Sequence, residues 1–209
     1  MVEHTKTTLD SWKLLMIVRE PIDRFLSGFL TLCVIETVET QLPSKCYGCG
    51  KDVACVLTRL YERASSFAAD RNNFVLTHED NYWFPQNWFC SLARYRRNFH
   101  TLKYWPDHTR RQQMMNELKD ILLKAKVPTN NVDTIIARTN SYGNNTDNYE
   151  KYRLFYHDII TSSSKLQQLF SSIYFHDYEL FQFPYNYSDS RVFMERRAVS
   201  GMESVMTQG

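Results

Sequence analysis

The sequence predicts an α/β fold, with a small, mostly parallel sheet flanked by several helices. Three observations carry this. The apolar run Lys13 to Val18 (K-L-L-M-I-V) leads straight into charge and Pro21, as a buried strand entering a turn does. From Pro21 the apolar residues Ile22, Phe25, Leu26, Phe29, Leu30 and Cys33 recur at spacings of three and four, the pattern of a helix with proline in its first turn. Further on, Phe99 to Trp105 alternates apolar and polar residues like a strand. A charged amphipathic helix follows from Thr109 to Lys126, stopped near Pro128.

The remaining elements fill in around these. A loop is expected from Thr40 to Lys51, after which Asp52 caps a helix reaching Ala69 with Val56, Leu60 and Ala64 on one face. Phe74 to Asn87 reads as an irregular aromatic segment interrupted by Pro85, and Asn140 to Asn148 as a polar loop. Two further helices are predicted at about Tyr149 to Ile160 and Ser164 to Phe175. Residues 1–195 are expected to form one domain, and 196–209 a flexible polar tail.

Composition narrows the function. With 209 residues, 43% hydrophobic and 23% charged, the chain can build a core. Lys+Arg 25 against Asp+Glu 23 leaves +2, which gives no argument for a nucleic-acid partner. There are 6 glycines, and none falls into G-x-G-x-x-G or G-x-x-x-x-G-K-[ST], so a nucleotide would have to be held without a glycine-rich phosphate loop. No apolar run approaches the roughly 18 residues of a membrane span, and Met1 to Ser11 is too polar for a secretory signal.

Five cysteines, Cys33, Cys46, Cys49, Cys55 and Cys90, all lie in the first half of the chain. Cys46 and Cys49 have the spacing of a metal knuckle, and Cys55 with Cys90 would complete a zinc site, but no second Cys-x2-Cys pair is present. Disulfides, implying an oxidising compartment, and free buried thiols are the alternatives. The odd count leaves one cysteine over.

The stretch V-R-E-P-I-D-R-F-L-S-G-F, from Val18 to Phe29, is the best candidate for chemistry. Arg19 falls at the carboxyl end of the first strand, which faces the ligand crevice in an open α/β sheet. Ser27 lies about two helical turns on, on the same side as Arg24. An arginine fork, a helix N-terminus and a hydroxyl together make a receptor for a phosphate monoester dianion. The competing reading has Arg19 and Arg24 paired with Glu20, Asp23 or Glu36, and Ser27 simply solvated.

Arg19, Pro21, Arg24 and Ser27 match R-x-P-x-x-R-x-x-S after a strand, and the segment resembles the 3′-phosphate-binding motif of sulfotransferases. The chain as a whole is most similar to Golgi carbohydrate sulfotransferases of the chondroitin and dermatan 4-O type, in an invertebrate branch. F-P-Q-N-W-F-C (Phe84 to Cys90), I-Y-F-H-D-Y-E-L-F (Ile173 to Phe181) and the Cys46 to Cys55 stretch resemble further blocks of that branch, in the same order.

The resemblance implies a partial P-loop-like sulfotransferase fold. It also implies transfer of a sulfuryl group from 3′-phosphoadenosine 5′-phosphosulfate to a glycan hydroxyl, with no metal. Arg19 and Ser27 would hold the donor's 3′-phosphate, and Arg24 would brace the motif. A histidine is the usual general base. His78, beside Glu79 and Asp80, comes first because it lies near the P-Q-x-W-x-C block, ahead of His100, His108, His157 and His176. Trp83, Phe84 and Trp88 either stack on sugar rings or belong to the core. The family's lysine loop for the 5′-phosphosulfate is expected upstream of the first strand, and none of the 18 residues before Arg19 resembles it, so the domain reads as N-terminally incomplete. After R-T-N-S-Y (Arg138 to Tyr142), Gly143, Asn144 and Asn145 replace an expected basic residue. A catalytically inactive paralogue that binds a glycan or a partner protein is therefore the alternative function. Golgi residence follows from the resemblance, with any membrane anchor outside these residues. Asn144 and Asn186 begin N-x-[ST] sequons, which fit a lumenal protein.

Overall fold

The computed structural model describes residues 12–35, 45–141 and 147–184. Strands β1 (Leu14–Arg19) and β2 (Phe99–Tyr104) pair in parallel, with Leu14 opposite Phe99 and Arg19 opposite Tyr104. Parallel neighbours need a crossover. Here it contains helices α1 (Pro21–Phe29), α2 (Val53–Ala69), α3 (His78–Trp83) and α4 (Leu92–Tyr95). Helices α5 (His108–Lys124), α6 (Thr129–Ser141), α7 (Asp147–Ser162) and α8 (Ser164–Phe181) follow β2. The result is the small parallel sheet flanked by helices that the sequence predicts.

Local chemistry explains where the helices begin. Pro21 opens α1, and the Glu20 carboxylate accepts from the Asp23 amide at 2.8 Å. Asp52 caps α2 by accepting from the Ala54 and Cys55 amides, both at 3.0 Å, and Asp107 caps α5 through the Arg110 amide at 2.9 Å. Beyond Phe29 the chain widens into a π-helical turn, Leu30–Ile35, that still buries Leu30 and Cys33.

The core gathers on α1. Phe25 and Phe29 are fully buried, their rings 5.8 Å from Phe170 of α8 and 4.8 Å from Tyr156 of α7 respectively. Each such side chain contributes about 1.5–3 kcal/mol by burial. On α8 the buried residues Leu166, Phe170, Ile173, Tyr174, Asp177, Tyr178 and Phe181 follow helical spacing, and this stripe packs on α1 and α2. A second cluster, Leu102 with Met114, Met115 and Leu118, joins β2 to α5.

Several expectations change. Cys33 pairs with Cys46 and Cys49 with Cys55, while Cys90 is free and exposed, so the zinc reading fails because its ligands are consumed in disulfides. The segment from Phe74 to Asn87 is not irregular throughout. It contains α3, whose first turn is held by the Asp80 carboxylate accepting from the Thr77 amide at 2.7 Å. Helices α4 and α6 were not anticipated, and α8 runs on to Phe181, past Phe175. Trp83 and Phe84 are core residues, 0% and 2% exposed, and Trp88 packs against them. The polar loop predicted from Asn140 to Asn148 is bounded by α6 and α7, and its centre lies outside the described residues. So do Glu36, both sequons and the tail from 196.

Candidate functional site

Arg19 ends β1, and α1 leaves at once from Pro21, so the flank of α1 faces the strand's carboxyl end. Arg19, Arg24, Ser27, Gly28 and Thr31 line one cavity of about 290 Å³, closed by Asn81 and Tyr82 of α3. The three residues that the sequence nominated as a phosphate receptor are thus brought together. The predicted use of the helix N-terminus is not. Glu20 occupies that end with its own carboxylate, and the cavity runs along the side of α1.

The two arginines are held differently. Arg19 donates from Nε to Asp23 Oδ2 at 2.6 Å, and its guanidinium lies 5.2 Å from the centre of the Tyr104 ring. This satisfies one edge of the fork, and neither terminal nitrogen has a partner among the described residues. The pairing with Asp23 that competed with a binding role is therefore present and compatible with it. Arg24 donates from Nη1 to the Phe84 carbonyl at 2.9 Å and from Nη2 to the Asn81 carbonyl at 3.4 Å. Burial lowers its pKa, the cost of desolvating a cation whose hydrogen-bond acceptors are neutral carbonyls.

Helix α7 closes the other side. Tyr149 donates to Ser27 Oγ at 3.2 Å, and Arg153 reaches Asp23 Oδ1 at 3.5 Å while forking onto Glu150 at 3.0 and 2.7 Å. Asp23, 5% exposed, is a buried carboxylate between two arginines. Past this bridge lies a larger cavity of about 500 Å³, lined by Glu20, Trp105, Arg110, Arg153 and His157 among others. Burial pushes the Glu20 carboxyl above its ordinary range, partly offset by the bond from the Tyr178 hydroxyl at 2.5 Å.

The histidines are dispersed. His78 is exposed on the first turn of α3, its ring 5.1 Å from that of Tyr82, a residue of the smaller cavity. His157 faces the larger cavity, His100 pairs with Glu117 at 2.8 Å, and His176 lines a third hollow beside Arg96 and Glu179.

Sequence reasoning missed the supports. The Gln86 carboxamide accepts from the Arg19 amide at 2.9 Å and donates to the Arg19 carbonyl at 2.7 Å. Buried Asp177 in turn accepts from the amides of Gln86 and Asn87 at 2.7 and 2.9 Å. The signal was present in the two later blocks, F-P-Q-N-W-F-C and I-Y-F-H-D-Y-E-L-F, but nothing in their spacing says that they meet. Tyr149 and Thr31 carried no motif.

The chain is 29% identical over 186 residues to an uncharacterized protein of Caenorhabditis elegans, C18B2.2, covering 87% of this chain and 50% of that one. It is 25% identical over 184 residues to the carbohydrate sulfotransferase chst-1 of the same organism, covering 86% and 55%. The chain thus spans about half the length of these curated relatives. No solved structure matches it. A model of the sulfotransferase family matches residues 2–184, and with all of its described residues inside that match the chain belongs to the sulfotransferase family.

Proposed function

We propose that this chain binds 3′-phosphoadenosine 5′-phosphosulfate through its 3′-phosphate and serves transfer of the sulfuryl group to a glycan hydroxyl, with a chondroitin-like acceptor. The carrying observation is the convergence of Arg19, Arg24 and Ser27 on one cavity, where the terminal nitrogens of Arg19 have no partner among the described residues. Arg19 and Ser27 contact the phosphate, and Arg24 braces the α3 side of the cavity through the Asn81 and Phe84 carbonyls. In the transfer the acceptor oxygen forms a bond to sulfur as the bridging bond to the 5′-phosphate breaks. Adenosine 3′,5′-bisphosphate leaves and the acceptor proton passes to a base. His78 is the base of this reading, on the ground that its ring meets Tyr82 at the cavity. The chemistry resembles phosphoryl transfer, in which positioning and charge neutralisation carry the rate. The sugar acceptor is supported by the printed name of chst-1. Two disulfides among the described residues fit the oxidising lumen of the Golgi. Among those residues no helix is long and apolar enough to cross a membrane.

A second reading, a non-catalytic relative that binds a glycan or partner, is favoured by one observation: among the described residues, no lysine lines the cavity. Transfer of radiolabelled sulfate from the donor to chondroitin separates the two. Turnover that falls in His78→Ala supports the first reading with its base. Turnover indifferent to His78 removes that residue from the mechanism, and donor binding without turnover supports the second reading.

A further inference from the structure

We propose that Gln86 and Asp177 are positioning residues for the 3′-phosphate, acting through the backbone of Arg19. The inference rests on the reading of the cavity given above. Arg19 is the last residue of β1, and among the described residues no strand pairs with the edge of β1 away from β2. Gln86 supplies the missing partner with its side chain: the carboxamide accepts from the Arg19 amide at 2.9 Å and donates to the Arg19 carbonyl at 2.7 Å, as the peptide of a neighbouring strand would. Both peptide planes flanking the Arg19 Cα are thereby fixed. With them the direction of its Cβ is fixed, and the Asp23 bond to Nε then sets where the guanidinium meets the cavity it shares with Ser27.

Gln86 is itself held from α8. Asp177 Oδ2 accepts from the Gln86 amide at 2.7 Å, while Oδ1 accepts from the Asn87 amide at 2.9 Å and the Asn87 carboxamide at 2.6 Å. Asp177 is 0% exposed and Gln86 5%. No ion pair of Asp177 is present among the described residues, and burial raises its pKa, so the carboxylate is retained at an energetic cost. A carboxylate meets three donors without bringing one of its own. Asparagine there would turn an NH2 against an N–H. One continuous chain of hydrogen bonds thus runs from α8 through the Pro85–Trp88 turn to the residue that meets the phosphate.

The test compares affinity for adenosine 3′,5′-bisphosphate with that for adenosine 5′-monophosphate, which lacks the 3′-phosphate, by titration calorimetry on the whole chain. Gln86→Met keeps length and apolar contact and removes both bonds. The expected result is that preference for the 3′-phosphate falls on the order of tenfold, that the monophosphate affinity stays unchanged, and that Gln86→Met costs nothing further in an Arg19→Ala background. Asp177→Asn moves the preference in the same direction. Gln86→Glu, which turns an oxygen against the Arg19 carbonyl, does so too, and the two variants carry the comparison if Gln86→Met does not fold. Equal loss for both nucleotides, an unchanged preference, or additive losses with Arg19→Ala overturns the proposal. Amide hydrogen exchange at Arg19 in the free protein keeps the two readings apart. A wild type blind to the 3′-phosphate sinks the cavity reading, while exchange not accelerated by Gln86→Met sinks the role of Gln86 on its own.

Discussion

Arg24 on α1 donates to the Phe84 carbonyl at 2.9 Å, across sixty positions of sequence, and so ties α1 to the turn that follows α3. The interaction involves a cation in a half-buried place, and such bonds contribute about 1.5–3 kcal/mol. Arg24→Ala is therefore expected to lower the melting temperature by about 4–8 °C, measured by circular dichroism. Its effect on affinity for adenosine 3′,5′-bisphosphate should be smaller than that of Arg19→Ala. The reverse ranking would make Arg24 the principal ligand.

Gly28 is expected to resist substitution. A Cβ there would lie 2.8 Å from Nε1 of the buried Trp83, closer than real contacts allow. Alanine favours a helix by about 1 kcal/mol over glycine, but overpacking costs about 1–3 kcal/mol. Gly28→Ala should thus destabilise the chain in chemical denaturation and, because Gly28 lines the cavity, weaken nucleotide binding as well. A stabilised variant would show that α1 and α3 are less closely packed than described.

Asp80 is expected to contribute to the acid limit. Burial works against its ionised form. The Arg63 fork at 2.8 and 2.5 Å, the Thr77 amide and the Tyr47 hydroxyl at 2.8 Å outweigh burial and hold its carboxyl below the usual range. A carboxyl depressed on folding stabilises the protein above its unfolded value, near pH 4, and loses that contribution as pH falls through the lower folded value. Asp80→Asn should destabilise the protein at pH 7 by about 3 kcal/mol and flatten the loss of stability below pH 4, measured by urea unfolding across pH. A parallel downward shift at every pH would remove Asp80 from the acid response.

Cys33–Cys46 ties the end of the α1 segment to the turn before α2, and Cys49–Cys55 ties that turn to α2 itself. Cys33–Cys46 spans 13 residues, and closing a loop of that size contributes about 3 kcal/mol. Cys33→Ser with Cys46→Ser should lower stability by about that much, and reduction, which also opens Cys49–Cys55, by more. Zinc added to the reduced chain should not restore it, which the same unfolding curves check.

The parts of the fold carried by local pattern were legible in the sequence. Pro21 with its spaced apolar residues, the Asp52 cap and the alternation in Phe99–Tyr104 each encode an element within a few residues of itself. Helix α3 was not, because its six residues are too few to show a period and its cap lies inside an aromatic run. Helix α6 was hidden by the polar composition of Thr129–Ser141. The convergence of Arg19, Arg24 and Ser27 on one cavity was legible because a strand end and one helix face bring them together over nine residues. Gln86, Tyr149 and Asp177 were not, since their meeting with that segment is a matter of tertiary packing.

The central claim is that Arg19 meets a 3′-phosphate, and calorimetric titration of adenosine 3′,5′-bisphosphate into the wild type and Arg19→Ala tests it most directly. The account predicts saturable binding to the wild type and a loss of about 1.5–3 kcal/mol, or roughly tenfold to a hundredfold, in the variant. No binding to the wild type, or equal binding to both, would contradict it.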